Sequence, residues 1–457
     1  MTSNNDPPSG GLLGTLDGDP AVDQAVGDGA LLAAMLDTEV ALARAAAAAG
    51  LVQPDAAEAV AEAAAGLTVT PGELGRLAAD SGSPVIPLVR MLEDAVSAGA
   101  DHAVHIGATS QDIVDTALML LAHRALGPLL AHLGRAADAA GLLAATHRDT
   151  PMLARTLGQP AAPSTFGLRA AGWLAGLNGA TSRLAGVRRT TLAIQLGGAA
   201  GTRAGFRGVG GDVAGALAAD LGLADPGGPW ATERSRIHRL AAELGTAVSS
   251  CAKVAADVVH MSQAEVGEAA EGSPGSSSAM PHKRNPIRSV LVLAAAHRAP
   301  ALVATVLGAG VHEQERAIGS WHAEWQPLRE LIRLAGGAAA RTADVLGDLL
   351  VDPAAMRRNL DAACPAALSE NLVALLRPVL GRKGAQGAVH QALDAAPLGG
   401  PDFVAALRSD PRVAEAMTIA DLEAELDPAH QTGDAGRLVD RLLSRRAMPD
   451  GGGFEEE

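Results

Sequence analysis

The sequence predicts an all-α protein built on a bundle of long helices, and three observations support this prediction. Hydrophobic residues make up 48% of the 457 residues but aromatic residues only 2%, so alanine, leucine and valine must form the core. Small, mostly unbranched side chains favour closely packed helices over sheets. Most segments between two polar tails are typical of helices, and one of them carries a seven-residue apolar stripe.

The first long segments are predicted as helices on their composition and their stop signals. One helix runs from about Ala30 to Gly50, where glycine ends it. A second covers residues 111–147 and is longer than an ordinary globular helix. Its Gly127-Pro128 pair predicts a kink, because proline removes a backbone hydrogen bond and clashes with the preceding turn.

The segment from Ala241 to Ala270 gives the strongest helical signal. Its apolar positions alternate spacings of four and three, a repeat that is typical of helices packed nearly parallel to one another. The stripe consists of Leu244, Val248, Cys251, Ala255, Val258, Ser262 and Glu265. A third long helix is predicted after Pro286, kinked near Pro300.

These segments predict three helical domains between two disordered tails. The tails are polar and rich in glycine, proline or glutamate. "VDPAAMRRNLD" interrupts the long-helix pattern and is predicted to open a smaller domain. The predicted parts are a tail at 1–11, an N-terminal domain at 12–110, a central long-helix bundle at 111–350, a C-terminal domain at 351–446 and a tail at 447–457.

Charge and cysteine content exclude several classes of protein. The formal net charge of -15 argues against a nucleic-acid partner, which needs a basic face. Cys251 and Cys364 are far apart and predict neither a disulfide framework nor a thiolate metal site, so a reducing cytoplasm is the simple interpretation. The N-terminus does not resemble a signal peptide, and no segment is predicted to span a membrane. HExxH, GxGxxG and GxSxG motifs are absent from the sequence.

The segment "EGSPGSSSAMPHKRNP" (Glu271 to Pro286) breaks the helical pattern with a flexible polar loop. Such composition is typical of a linker. However, Lys283 and Asn285 follow the serines directly, and a helix is predicted to start at Pro286. Backbone amides at a helix start, together with these side chains, would bind an anion. On the residues alone, a linker and a hydroxyl-carrying lid remain equally open.

Three further polar clusters interrupt the apolar segments. "HIGATSQDIVDTA" places Thr109, Ser110 and Asp112 at a helix start, which indicates either capping or a carboxylate-binding turn. "RTLGQPAAPSTFG" is predicted to be a loop whose Arg155, Thr156 and Gln159 are either solvated or line a pocket.

The last cluster is "HEQERAIGSWHAEW", which holds two of the four tryptophans. His312 and Arg316 are four residues apart and are predicted to share one helical face. A surface ion-pair face and an enclosed site both fit this composition.

Together these stretches resemble the fumarase/aspartase superfamily. "GSSSAMPHKRNP" is similar to its GSSxMPxKxN signature, and the other two blocks occur in matching order and spacing. The likeness covers nearly the whole chain. It is greatest to the bacterial 3-carboxy-cis,cis-muconate cycloisomerases, on "GSPVIPLV", "HIGATSQDIVDTA", "QLGGAAGT", "MPHKRNP" and "QERAIGSWHAEW".

The resemblance implies a homotetramer of three-domain subunits with active sites shared between subunits, and neither a metal nor an organic cofactor. It assigns the catalytic residues as Ser277, Lys283 and Asn285. Ser277 would exchange the proton next to a carboxylate, and the other two would bind that carboxylate. The implied substrate-binding residues are His105, Thr109, Ser110, Thr156, Gln159 and Arg316.

One departure from the superfamily pattern bears on the reaction. Many of its lyases read "RTHGQ" and use that histidine as a general acid, whereas this chain has Leu157. A leaving amine needs a proton but a carboxylate does not, because carboxyl groups have pKa values near 4. The resemblance therefore implies lactonisation of 3-carboxymuconate, a small polycarboxylate of protocatechuate degradation, to 4-carboxymuconolactone. Pro160, Ala231 and Ser235 also depart from the usual cycloisomerase pattern and leave the exact substrate open.

Two other classes of function stay open. A β-elimination lyase with a non-amine leaving group, such as a nitrosuccinate lyase, is equally compatible with Leu157. An adenylosuccinate-type lyase is disfavoured by the same residue. A non-catalytic helical scaffold is disfavoured by the intact set of Ser277, Lys283 and Asn285.

Overall fold

The computed structural model describes residues 11–276, 279–397 and 399–446, and most of them are helical. The first seven helices are α1 (Gly11–Asp17), α2 (Pro20–Val26), α3 (Asp28–Ala48), α4 (Pro54–Gly66), α5 (Pro71–Ala78), α6 (Val85–Ala95) and α7 (Ser110–Thr146). The next five are α8 (Phe166–Thr190), α9 (Gly210–Leu221), α10 (Ser235–Met261), α11 (Ile287–Gly308) and α12 (Ser320–Gly347). The last six are α13 (Pro353–Ala363), α14 (Ser369–Ala395), α15 (Pro401–Leu407), α16 (Pro411–Ala416), α17 (Ile419–Glu425) and α18 (Ala435–Arg446).

The described strands form two small antiparallel sheets. They are β1 (Pro151–Thr156) with β2 (Gln159–Thr165), and β3 (Ala269–Ala270) with β4 (Leu350–Val351). The prediction of a mainly helical chain is therefore confirmed. The two predicted disordered tails lie outside the described residues, except for Gly11, which begins α1.

Contacts divide the chain into two compact units. The described part of the first unit comprises residues 11–134, 179–252 and 291–342. That of the second comprises residues 135–178, 253–290 and 343–446. Five helices, namely α7, α8, α10, α11 and α12, contribute residues to both units. The three-domain division with boundaries near 110 and 350 stays a prediction.

The long helices follow the sequence prediction closely, and two of them continue through the prolines at which kinks are predicted. Helix α3 ends at Ala48, just before Gly50, whose φ of 76° suits glycine. Helix α7 starts at Ser110 and runs through Pro128, and α11 runs through Pro300. The stripe on α10 is buried from Leu244 to Val258, but the helix ends at Met261 rather than at 270.

Helices α7 and α11 are long and apolar enough, by length and composition alone, to cross a membrane. The sequence analysis predicts no such span because it counts Pro128 and Pro300 as breaks, and both helices continue through them. The two differ in burial. Within the most apolar 18-residue window of each helix, 72% of the window in α7 is buried, but only 22% of the window in α11. Helix α11 therefore presents a largely uncovered apolar surface.

The N-terminal part of the first unit has a core of small aliphatic side chains. Helices α3 and α4 supply most of it, and residues 92–104 close it. The buried members are Ala43, Ala46, Val52, Ala56, Ala57, Val60, Ala63, Leu92, Ala100, Ala103 and Val104. This packing fixes α3 against the segment that leads into α7.

A buried ion cluster joins α7, α12 and the residue before α10 within the first unit. Arg234 donates to Asp115 of α7 (Nη1 to Oδ2, 2.7 Å) and to Glu324 of α12 (Nη2 to Oε2, 2.6 Å). All three side chains are at most 1% exposed. Trp321 Nε1 and Gln111 Nε2 also donate to Asp115, at 2.9 and 3.1 Å. Burial alone would lower the pKa of Arg234, but the two carboxylates raise it, so the guanidinium stays charged.

The second unit has a larger C-terminal core and a small cluster under the β1–β2 hairpin. Helices α14 to α17 and the turn before α14 form the larger core around Leu372, Leu376 and Phe403. Leu153 of β1 packs with Leu360 of α13 and with Ala367. The hairpin is therefore held at its base by apolar contacts with α13.

We expect Arg234→Met to destabilise the fold, because it leaves the buried carboxylates of Asp115 and Glu324 without a counter-charge. Removing one partner of a buried ion pair costs about 3–5 kcal/mol. The matched control is Arg357→Met, whose pair with Asp361 is about half exposed and should contribute about 0–1 kcal/mol. Urea unfolding followed by circular dichroism compares the two. Equal losses would contradict the role given to the buried cluster.

Candidate active site

The start of α7 is organised by one buried carboxylate, that of Asp112. Its oxygens accept hydrogen bonds from the backbone N–H groups of Gly197 (2.9 Å), Gly198 (2.8 Å) and Thr109 (3.0 Å), and from Gln195 Nε2 (3.2 Å). Burial raises the pKa of Asp112 to about 6, although these four donors counteract the shift. At neutral pH the carboxylate is ionised and ties the 195–198 loop to the first turn of α7.

The polar turn before α7 faces a cation, Arg316. Arg316 Nη1 donates to Thr109 Oγ1 at 3.2 Å, and Nη2 donates to the carbonyl of Ala199 at 3.1 Å. Thr109 and Ser110 are both partly exposed, and Ser110 is the first residue of α7. The fold thus brings together two residues that are 207 positions apart. Hydroxyls, a guanidinium and a helix start form a place where a carboxylate can bind.

His105 precedes this turn and pairs with a buried glutamate. Its Nδ1 lies 2.7 Å from Oε1 of Glu39, whose side chain is fully buried on α3. The imidazole keeps about a fifth of its surface exposed. The side chains of this part of the site all belong to the first unit, namely Glu39, His105, Thr109, Ser110, Asp112 and Arg316.

The prediction that His312 and Arg316 share a helical face is wrong. Both precede α12, which begins at Ser320, and Gln314 between them has a positive φ of 48°. The His312 side chain is buried with Nε2 3.3 Å from Glu324 Oε1, while Arg316 turns to Thr109. The backbone bends here, so the four-residue spacing does not place the two side chains together.

The two tryptophans of this segment pack together inside the protein. The rings of Trp321 and Trp325 meet edge to face, with centroids 4.7 Å apart. Trp321 also donates to Asp115 of the buried ion cluster. The sequence analysis left an enclosed site open for this segment. The enclosed polar group that Trp321 contacts is the buried ion cluster.

In the second unit, a backbone bridge closes the base of the serine-rich loop. Gly275 and Asn285 exchange two hydrogen bonds, Gly275 N to Asn285 O at 2.8 Å and Asn285 N to Gly275 O at 3.1 Å. Lys283 lies between them in sequence and is exposed. Ser277, the predicted proton donor, lies outside the described residues. The bridge brings Gly275 and Asn285 together, so the two ends of this segment meet.

The start of α11 is not the open anion site that the sequence suggests. Glu271, which is 2% exposed, accepts hydrogen bonds from Ser289 N (2.8 Å), Ser289 Oγ (2.7 Å) and Arg288 N (3.3 Å). A carboxylate of this chain therefore already occupies the first-turn amides of the helix. Any anion bound by Lys283 and Asn285 must rely on these side chains and on the loop backbone.

The segment "RTLGQPAAPSTFG" is a β-hairpin and not the predicted loop. Thr156 pairs with Gln159 across a two-residue turn, and both residues are exposed. Leu157 and Gly158 in the turn have positive φ values of 52° and 79°. Such a conformation matches the twist of short hairpins, but it suits glycine and strains leucine by roughly 1–2 kcal/mol. The sequence analysis missed the hairpin because glycine and proline there are typical of loops.

Arg155 anchors this hairpin from within the second unit. Its guanidinium makes a two-point contact with the fully buried Glu268, Nη1 to Oε2 at 2.9 Å and Nη2 to Oε1 at 2.8 Å. Asn359 Nδ2 also donates to Glu268 Oε1, at 2.9 Å. Of the two readings of Arg155, solvated or lining a pocket, neither describes this contact. The ion pair instead fixes the strand that carries Thr156.

Two of the departures from the cycloisomerase pattern lie at the start of α10, Ala231 just before the helix and Ser235 as its first residue. The carbonyl of Ala231 accepts from Gln111 Nε2 at 2.7 Å, a bond that any residue could supply. The Ser235 hydroxyl donates to Glu233 Oε2 at 2.9 Å. Pro160 lies opposite Arg155 in the hairpin. Among the described residues, no three His, Cys, Asp or Glu side chains are grouped so that they could hold a metal ion.

Comparison with known proteins places the chain in a family. The family profile described as Lyase matches residues 20–300. A nitrosuccinate lyase of Streptomyces davaonensis is 42% identical over 455 residues, which cover 96% of each chain. The chain belongs to this lyase family, within the fumarase/aspartase superfamily.

Other relatives of this chain are named cycloisomerases. The 3-carboxy-cis,cis-muconate cycloisomerase of Pseudomonas aeruginosa is 40% identical over 419 residues, covering 90% of this chain and 91% of the relative. The crystal structure of the 3-carboxy-cis,cis-muconate lactonizing enzyme from Pseudomonas putida matches 95% of this chain and 99% of its own, with a TM-score of 0.87 and 37% identity. The resemblance that the sequence suggests is confirmed, and the chain is an enzyme.

Sequence reasoning missed three buried glutamates that support the polar segments of the chain, namely Glu39, Glu268 and Glu271. Each contacts a residue that lies 17 or more positions away in sequence. A signal did exist for Glu39, because Met35 and Leu42, four residues before it and three after it, are apolar and buried. A lone acid on an apolar helix face indicates a buried partner.

We expect Asp112→Asn to loosen the turn that carries Thr109. The asparagine side chain has one oxygen that accepts hydrogen bonds, whereas the carboxylate has two. At least one buried backbone N–H therefore loses its acceptor, which costs about 1–3 kcal/mol. The matched control is Asp212→Asn, an exposed first-turn acid on α9, which should change stability by about 0.5 kcal/mol or less. Urea unfolding measures both. A variant at Asp112 as stable as that at Asp212 would contradict the role of this carboxylate.

Proposed function

We propose that this lyase lactonises 3-carboxy-cis,cis-muconate to 4-carboxymuconolactone, a step of the protocatechuate branch of the β-ketoadipate pathway. Relatives of that name cover nearly the whole chain, and a cycloisomerase crystal structure shares its fold. The single observation that carries the reaction type is Leu157, which stands where many superfamily lyases have a proton-transferring histidine. The flanking Thr156 and Gln159 are retained.

In the proposed mechanism, one carboxylate of the substrate is bound and the neighbouring carbon is protonated. A carboxylate oxygen forms a bond to the carbon β to the bound carboxylate, and the double bond supplies electrons to form an aci-carboxylate. Ser277 then gives a proton to the α carbon, so charge and atoms balance. Lys283, Asn285 and the turn of Thr109 and Ser110 stabilise the doubly charged aci-carboxylate.

The remaining residues bind and enclose the substrate. Arg316, already paired with Thr109 at 3.2 Å, supplies a second cation, and His105 a further polar contact. Thr156 and Gln159 contact the substrate from the hairpin. Leu157, fully exposed at the hairpin tip, packs against the substrate and keeps water out. No residue has to protonate a leaving group, because the reverse reaction expels a carboxylate.

Release of nitrite from nitrosuccinate is the second candidate. The Streptomyces davaonensis relative of that name is 42% identical, and nitrite, like a carboxylate, leaves without a general acid. Both reactions would use the same serine and the same carboxylate-binding groups. Only the group that leaves or adds at the β carbon distinguishes them.

A turnover assay separates these candidates. We expect the wild-type enzyme to consume 3-carboxymuconate, which is measured as a loss of the substrate's ultraviolet absorbance. We expect it to release no nitrite from nitrosuccinate. Ser277→Ala should lower turnover about 10²–10⁴-fold, the usual contribution of a placed proton-transferring group. The matched control is Ser276→Ala, one residue away in the same exposed loop, which should keep activity within a few-fold.

Three results would contradict the proposal in different ways. Nitrite release without lactonisation would assign the second candidate. Equal activity of the Ser276 and Ser277 variants would remove Ser277 from the mechanism, and no turnover of either substrate would favour a non-catalytic scaffold.

We further propose a homotetramer with active sites assembled from different subunits, working in the cytoplasm on a small-molecule substrate, without a nucleic-acid or membrane partner. The apolar surface of α11 supports this assembly, because Ile287, Val290 and Leu307 are more than 40% exposed in the single chain. Exposed apolar helix faces of this size are typical of covered interfaces.

Shared sites predict that two inactive variants rescue each other. Chains with Ser277→Ala and chains with Thr109→Val, unfolded together and reassembled, should form some sites free of both changes and recover part of the activity. Sedimentation velocity verifies the tetramers, and an affinity tag on one of the two variants shows that they are mixed. Monomers in sedimentation, or mixed tetramers with no activity, would contradict the proposal.

A further inference from the structure

Glu39 is a fully buried carboxylate on an otherwise apolar part of α3. Met35, Leu42 and Ala43, its neighbours one turn away, are all buried. Burying a carboxylate costs several kcal/mol unless a partner compensates for the lost hydration. The described partner of Glu39 is His105, through Oε1 at 2.7 Å, and Oε2 has no hydrogen-bond partner among the described residues. The glutamate therefore serves this one imidazole.

His105 is held in an unusual backbone conformation. Its φ of 51° lies in the left-handed region, which costs a residue other than glycine roughly 1 kcal/mol or more. Nδ1 is occupied by Glu39, and a fifth of the side chain is exposed. Nε2 makes no hydrogen bond to any described residue and is not buried, so it remains available to a ligand. Four residues later comes Thr109, which binds Arg316.

The charges around the imidazole favour its protonated form. Burial lowers the pKa of His105, but the hydrogen bond and the charge of Glu39 outweigh burial, and the charges of Asp112 on α7 and Glu93 on α6 add to them. The pKa of His105 is therefore raised above its ordinary value of 6.5. With Nδ1–H donated to Glu39, the protonated ring has one further donor, Nε2–H.

We propose that Glu39 is a positioning residue that holds His105 as an imidazolium, so that Nε2–H donates to a substrate carboxylate bound at the Thr109–Ser110 turn. This inference rests on the proposed function only in requiring a polycarboxylate ligand. Glu39 itself does not touch the ligand. It fixes the ring orientation and keeps the ring positively charged. A purely structural pair that joins α3 to this turn would not affect how ligand binding depends on pH.

Glu39→Gln separates the two roles. The amide oxygen can still accept from Nδ1, but the negative charge is lost, so the pKa of His105 must fall. The probe is propane-1,2,3-tricarboxylate, whose binding is followed by calorimetry between pH 5.5 and pH 8.5. In the wild type, the tight binding is present below the raised pKa of His105 and is lost as the pH rises through it. In Glu39→Gln that loss occurs at lower pH.

At a pH where only the wild-type imidazole is charged, we expect Glu39→Gln to bind the tricarboxylate roughly 10-fold more weakly, the effect of one charge-assisted hydrogen bond. At pH 5.5 both proteins should bind alike. The matched control is Glu93→Gln, which removes an exposed charge on α6 without breaking a hydrogen bond to His105 and should shift the pH dependence much less.

A second measurement does not depend on any ligand. Histidine C2 hydrogen exchange followed by mass spectrometry reports the pKa of His105 directly, in a His102→Gln background and in a peptide cleaved before His123, so that the peptide carries one imidazole. The pKa should fall in Glu39→Gln. If that variant does not fold, His105→Gln takes its place, and it should remove the loss of tricarboxylate binding that the wild type shows as the pH rises through the pKa of His105.

The outcomes are distinct from those of the turnover assay. An unchanged pKa of His105, or a lowered pKa with unchanged pH dependence of binding, overturns the inference. Failure of the wild type to bind the tricarboxylate also overturns it, because the ligand class is then wrong. A shifted binding profile in an enzyme that does not lactonise 3-carboxymuconate supports the inference while rejecting the proposed substrate.

Discussion

The buried guanidinium of Arg234 is the constraint on which the first unit's polar turns depend. It neutralises Asp115 and Glu324, which belong to helices more than 200 residues apart in sequence. Without it, two buried carboxylates would lack a counter-charge. Asp115 lies one turn after Asp112 on α7, and Glu324 lies near the start of α12, just after the loop that carries Arg316. The same contact therefore joins the two segments that meet at Thr109 and Arg316. The candidate site in the first unit is thus supported by charge as well as by aliphatic packing.

A common pattern links the polar segments: each is supported from beneath by a buried acid. Asp112 holds the turn of Thr109, Glu39 holds His105, Glu268 holds the hairpin through Arg155, and Glu271 caps the helix after the serine-rich loop. An Ala/Leu core is poor in directional contacts, so it cannot orient polar side chains. Hydrogen-bonded carboxylates supply that direction, at the cost of their own desolvation.

Periodicity and composition predicted the helices, because α-helical stripes are local and Ala/Leu-rich segments have few alternatives. The start of α7 and the end of α3 were located to within about two residues for the same reason. Local rules failed where contacts are distant. Glu268 bonds to a residue 113 positions away, and no spacing in the sequence encodes that pairing. The hairpin at Thr156 was missed because its proline and glycine content is shared by loops. His312 was misplaced because a single left-handed residue, Gln314, redirects the chain.

Leu157 shows how a fold can leave a position free for chemistry. Its side chain contacts little of its own chain, and its strain comes from the backbone, so nearly every residue other than glycine, asparagine or aspartate would pay a similar conformational cost there. Replacing one such residue by another leaves the core unchanged. Selection at this hairpin tip can therefore act on reactivity with little interference from folding. One scaffold could acquire or lose a proton donor in a single substitution, and move between leaving groups without first being rebuilt.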